Sequence, residues 1–260
     1  MLGFVLGGAA LLYVAYGMLM VQAHWALVYP FYDQSVLDLP DFVPEVLDTD
    51  EGPMTAYVHR GAEGAPVVLY FMGNVGALTA FAPMLEHHAE AGRSVLAMGY
   101  RGGGGLPGEP SEARLKADAL VLYDAVDRLV PGHGPVVAHG YSLGTGIATY
   151  VAAERGLDGL VLSAPYARMC ELMVPRSWLP ACQMPGVQKW QSLRDAGRVT
   201  EPAMVLHGVE DDLIPFGHGQ RMAEALRAEL VPIPAGGHDD LMGKAPYLDS
   251  IDRFIDGLGR

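Results

Sequence analysis

The chain has 260 residues, half of them hydrophobic, enough to bury one substantial core. Its 17 basic and 30 acidic residues give a formal charge of -13, which excludes nucleic-acid binding, because phosphate backbones are held by clustered Lys and Arg. No Cys/His cluster has zinc spacing, and His87-His88 are neighbours on a predicted helix that do not share a face, so neither a metal nor a cofactor is expected.

Residues 3–21 contain no charged side chain and are followed by Gln22, His24, Trp25, Tyr29 and Tyr32. About 20 apolar residues span a bilayer as a helix, and the aromatic group behind them suits the interface. A single-pass N-terminal anchor over residues 1–25 is therefore expected. A cleaved signal peptide fits less well, since a basic n-region is missing and Ala23-His24-Trp25 is a poor cleavage site. Residues 26–53 read as a Pro- and Asp-rich linker, and 54–260 as the folded domain. Lys and Arg are absent before Arg60, and the acidic flank 33–51 favours a domain on the non-cytoplasmic side. Cys170 and Cys182 can pair there, or equally remain two reduced, buried thiols.

Within the domain, strands are expected at 54–59, 66–71, 94–98, 136–139, 160–163, 203–207 and 230–233. Helices are expected at 81–90, 112–130, 143–154, 219–227 and 248–258. Such alternation, with the strand at 66–71 almost wholly apolar, predicts an α/β fold with a mostly parallel sheet and helices on both faces. The beat breaks between 164 and 200, where Met169, Met173, Trp178, Leu179 and Pro180 cluster. This stretch, about 165–200, is expected to form a cap over the site. The Gly-rich stretch 101–108 has neither a Gly-Lys-Ser/Thr ending nor a dinucleotide fingerprint, and reads as a flexible rim of that site.

Ligand sites in open parallel sheets gather beyond the carboxyl ends of the strands. One such end carries Gly140-Tyr141-Ser142-Leu143-Gly144 between a predicted strand and a predicted helix. A chain this rich in glycine produces the bare Gly-x-Ser-x-Gly pattern by chance roughly once in eight, so its placement on a strand-to-helix turn carries the argument. Ser142 is the expected nucleophile.

A serine hydroxyl needs a base, and that base needs a carboxylate to set its tautomer. Among nine histidines, His238 follows the last predicted strand in a Gly-rich turn and is the expected base. His139 and His207 fall at strand ends and read as loop supports. The carboxylate lies among Glu210, Asp211 and Asp212; Asp211, in the middle of the loop, is preferred, with Asp212 as fallback. Asp239 and Asp240 read as caps of a following helix. Oxyanion donors are expected from the N–H of Leu143 and from the loop after residue 71, at Asn74 with Val75 beside it.

These residues together resemble the alpha/beta-hydrolase fold serine hydrolases, in particular the membrane-anchored branch that includes animal depalmitoylating hydrolases and their bacterial relatives. The likeness rests on the anchor, Phe71-Met72-Gly73-Asn74-Val75-Gly76, Tyr100-Arg101-Gly102-Gly103-Gly104, Pro110-Ser111-Glu112, the Ser142 pentapeptide, His207 to Pro215, and Gly237-His238-Asp239. It implies Ser142, Asp211 and His238 as a triad, with Asn74 and Leu143 at the oxyanion hole. Met72 stands where relatives usually carry His, and Ala77 where a second Asn is common; the donors are backbone groups, so the hole is expected to survive. The implied reaction is cleavage of an acyl ester or thioester of a small-molecule or lipid-like substrate through an acyl-enzyme. An aminopeptidase-like peptidase of the same fold and a non-catalytic scaffold are the alternatives.

Overall fold

The computed structural model describes residues 2–258. In chain order the elements are α1 (Leu2–Val28), β1 (Val43–Leu47), β2 (Met54–His59), β3 (Val67–Phe71), α2 (Ala82–Glu90), β4 (Ser94–Met98), α3 (Glu112–Asp124), α4 (Val126–Leu129), β5 (Val136–Tyr141), α5 (Leu143–Glu154), β6 (Gly159–Ser163), α6 (Met169–Ser177), α7 (Ser192–Ala196), β7 (Ala203–Gly208), α8 (Gly217–Leu226), β8 (Glu229–Ile233) and α9 (Tyr247–Gly257).

Eight strands form one sheet in the order β1-β2-β4-β3-β5-β6-β7-β8. The first two pairings, β1 with β2 and β2 with β4, are antiparallel, and the rest are parallel. Strands β3, β4, β5 and β6 are buried at every residue, as expected of apolar runs covered on two sides. Side-chain alternation along β5 identifies the two layers. His139 reaches His88 of α2, whereas a Cβ on Gly140 would strike the Gly144 carbonyl of α5. Helices α2 and α9 are joined on the first face through His87 and Asp252, and α3, α5, α7 and α8 pack in series on the second.

Two expectations differ from the structure. The stretch 26–53 contains β1, and α1 runs on to Val28. Strand β1 hides in the sequence because Val43-Pro44-Glu45-Val46-Leu47 lies at the sheet edge, mostly exposed, where Pro is tolerated and alternation is weak. The second difference concerns the 101–108 stretch. Arg101 is buried, and its guanidinium grips both Asp118 oxygens at 2.6 and 2.8 Å while also donating to the Glu51 and Gly52 carbonyls. A charge clamped this way fastens the loop to the β1–β2 turn, so it is no flexible rim.

Helix α1 is apolar and long enough over Phe4–Val28 to cross a membrane. From Tyr13 onward it lies against the segment 177–188. Tyr13 and Tyr16 donate to the carbonyls of Trp178 and Ser177, and the ring of buried His24 accepts from the Gln188 N–H at 3.2 Å. Cys182 of this segment forms a disulfide with Cys170 of α6.

Candidate active site

The turn between β5 and α5 places Ser142 at φ 51°, ψ -115°, a left-handed conformation that costs a non-glycine residue about 1–3 kcal/mol. The surrounding packing requires it. A Cβ on Gly144 would lie 2.0 Å from the Phe71 carbonyl oxygen, and one on Gly140 2.5 Å from that of Gly144. Only glycine lets strand and helix close to this distance. The Ser142 N–H is spent on the Ser163 carbonyl at 2.9 Å, which pins the turn to β6 and leaves the side chain projecting from the sheet.

Neighbouring strand ends supply the partners. The loop after β7 carries Asp211 and the loop after β8 carries His238. His238 Nε2 lies 2.9 Å from Ser142 Oγ, and its Nδ1 lies 2.8 Å from Asp211 Oδ2. A carboxylate accepts, so the imidazole carries its proton on Nδ1, and Nε2 presents a lone pair to the serine hydroxyl. Asp211 Oδ1 accepts the N–H groups of Leu213 and Ile214 at 2.9 and 2.7 Å. Burial alone would raise the Asp211 carboxyl; hydrogen bonds from the His207 and His238 rings and the Ile214 N–H outweigh it and hold the group well below the usual carboxylate range. His207 bonds more directly to the Ile214 carbonyl, at 2.8 Å, than to Asp211, at 3.5 Å, and so braces the loop as expected of it.

Leu143 begins α5, and Asn74 follows β3 on the adjacent loop; both line the same cavity as Ser142. Neither N–H has a protein acceptor among the described residues. The Asn74 loop is held from below by the Tyr100 hydroxyl, which donates to the Met72 carbonyl at 2.8 Å. His139 sits below the sheet ends in a buried chain running from Arg93 through His88 and His139 to Ser163, which also receives the Tyr247 hydroxyl. Asp240 departs from expectation. Its carboxylate caps no helix and accepts the Gly237 N–H at 2.7 Å, bracing the His238 turn.

Above Ser142 lies a cavity of about 420 Å³ walled by three elements: α6 and the segment after it, the Leu213-Ile214 turn, and the face of α1 bearing Met20, Val21, His24, Leu27 and Val28. Its wall is apolar except at a few places, and among the described residues it includes no carboxylate. Arg176 stands at the rim, donating to the Leu172 and Leu213 carbonyls. Two features here were missed in the sequence. The helix read as an anchor is part of the cavity wall, and Tyr141 donates its hydroxyl to the His238 carbonyl. A hydrophobic stretch says nothing of its docking partner, but a tyrosine inside a Gly-x-Ser-x-Gly turn is a signal that can be sought.

Residues 63–191 match a family model described as serine aminopeptidase, S33. The chain is 32% identical over 219 residues to an uncharacterized protein of Mycobacterium tuberculosis, covering 81% of this chain and 78% of that one. It is 29% identical over 216 residues to protein ABHD12B of Homo sapiens, covering 72% of this chain and 59% of that longer protein. Among solved structures, esterase Pf2001 of Pyrococcus furiosus superposes with a TM-score of 0.73 at 15% identity, over 86% of this chain and 98% of that one.

Proposed function

We propose that this chain, which belongs to the alpha/beta-hydrolase family, is a membrane-anchored serine hydrolase cleaving carboxylic esters or thioesters of apolar acyl groups. The observation that carries the reading is the continuous hydrogen-bonded chain from Ser142 Oγ through His238 to Asp211. In the first half-reaction Ser142 Oγ attacks the acyl carbonyl carbon while its proton passes to His238 Nε2. The carbonyl oxygen becomes an oxyanion held by the N–H groups of Leu143 and Asn74. Asp211 stabilises the imidazolium. Collapse breaks the bond to the leaving oxygen or sulfur, which takes the proton from His238. Water repeats the sequence on the acyl-enzyme and releases a carboxylic acid and free Ser142. No cofactor enters these steps.

The cavity supports an acyl substrate. Its wall is rich in Met and Leu and, among the described residues, offers no carboxylate to pair with a peptide amino terminus. That weighs against the peptidase activity suggested by the description of the matched model. The disulfide supports a domain on the non-cytoplasmic side of the membrane, since such bonds persist in oxidising compartments. The test is a series of aryl esters, acyl thioesters and aminoacyl amides with wild type and Ser142→Ala. Ester or thioester turnover that exceeds amide turnover and disappears in the variant is the expected result. Faster amide cleavage would replace this reading with a peptidase.

A further inference from the structure

Helix α1 and the cap are joined in a way that fixes how deep the cap lies. Tyr13 donates its hydroxyl to the Trp178 carbonyl and Tyr16 to the Ser177 carbonyl, both at 3.1 Å. A Cβ placed on Gly17 would be only 3.5 Å from Met184 Cε. Ser177 and Trp178 stand at the C-terminal end of α6, where carbonyls have no helical donors left; the anchor's tyrosines supply them. Other backbone donors of this segment are closed locally, Trp178 on Val174 O at 2.8 Å, Ala181 on Leu179 O at 2.8 Å and Gln183 on Pro180 O at 2.9 Å. At the apex Trp178 and Val174 nonetheless face outward, 86% and 38% exposed, while Leu179 and Ala181 behind them are buried. Satisfied backbone beneath exposed apolar side chains is what hydrocarbon demands of a surface.

Helix arithmetic gives the depth. The 27 residues of α1 rise about 40 Å at about 1.5 Å each, against a hydrocarbon core of about 30 Å. Even with that core pushed as far as possible toward Leu2, it reaches about residue 22, which leaves Tyr13 about 13 Å and Tyr16 about 9 Å inside its boundary. A helix that spans therefore carries Ser177 and Trp178 into the bilayer with it.

Resting on the reading of α1 as a membrane span, we propose that the cap apex from Val174 to Trp178 is embedded in the lipid leaflet next to the domain. The cap is then a second membrane contact. Arg176, which bonds only to carbonyls among the described residues, is the one charge of this apex and extends its long stem toward the headgroups. The cavity rim formed by Leu27, Arg176 and Leu213 lies near the lipid interface, and the α1 face from Leu27 to Met20 runs from that level into the leaflet. An acyl chain reaches Ser142 laterally from lipid, without passing through water.

The experiment uses full-length protein in phosphatidylcholine vesicles with the native disulfide intact and one added cysteine, Trp178→Cys, carrying an environment-sensitive fluorophore. Trp178 is exposed, so the exchange leaves the core untouched. The fluorophore at position 178 is expected to be quenched several-fold more by acyl-chain nitroxides than by aqueous iodide, and the same fluorophore on Glu63→Cys to show the reverse. A third variant, Phe4→Cys, reports on α1 itself and is expected to react with an impermeant thiol reagent only from the face opposite the domain. Should α1 cross while position 178 is as open to iodide as position 63, the embedded cap is overturned and the anchor stands. Reaction at position 4 from the domain's own side would overturn both.

Discussion

Tyr141 donates its hydroxyl to the backbone carbonyl of His238, so the residue preceding Ser142 holds the loop that carries the facing imidazole. Burial pushes the Tyr141 phenol far above its ordinary range and keeps it a donor. Strand β5 thereby sets both the serine and, across the sheet ends, the height of its histidine.

Tyr141→Phe keeps the ring and removes this bond. One hydrogen bond is worth about 1 kcal/mol, or roughly fivefold in a rate that depends on it. The expected result is kcat reduced about five- to tenfold with KM unchanged, because the loss falls on the alignment of His238 and leaves the acyl cavity intact.

Asp211→Asn removes the charge that fixes the His238 tautomer, and kcat is expected to fall by about 10³- to 10⁴-fold. The same substitution alters acid stability. The folded-state carboxyl of Asp211 is depressed, so its stabilisation is complete above the unfolded value near 4 and is lost as pH falls through the lower folded value. Melting curves of wild type and variant should accordingly converge below about pH 4, with their largest separation above it.

Buried His139 has its titration pushed down to about 3, first by burial and then by the charges of Arg93 and His87. Unfolded, it binds a proton near 6.5, so its contribution to stability is present above that pH and is lost as pH falls toward 3. His139→Gln should flatten the wild-type decline in melting temperature between pH 6.5 and 4. It should also lower the midpoint at pH 8, since the relay to Ser163 is broken.

The disulfide joins residues 12 apart in a segment that walls the cavity. Loops of that length gain about 2–3 kcal/mol from closure. The double variant Cys170→Ser, Cys182→Ser is expected to melt several degrees lower and to lose discrimination between acyl chain lengths, while turnover of the shortest soluble ester holds.

Much of this was legible in the sequence. The almost wholly apolar run at 66–71 marked a sheet strand because burial on both faces leaves little place for polar residues. Ser142 was legible because its turn admits only glycine at positions 140 and 144. Strand β1 was not, since an exposed edge containing Pro44 imposes no hydrophobic pattern. Arg101 looked like part of a loose loop because its partners, Asp118 and the Glu51 and Gly52 carbonyls, are distant in sequence. The place of α1 in the cavity wall was hidden for a related reason: lipid and an apolar cavity both select Met, Leu and Val, and composition cannot tell one from the other.

The central claim is that Ser142 is the nucleophile, and its most direct test is mass mapping of the full-length protein after reaction with a fluorophosphonate. A single phosphonyl adduct on the peptide containing Ser142, absent in Ser142→Ala and much slower to form in His238→Ala, is the expected result. An adduct on another residue, or equal labelling of wild type and Ser142→Ala, would contradict it.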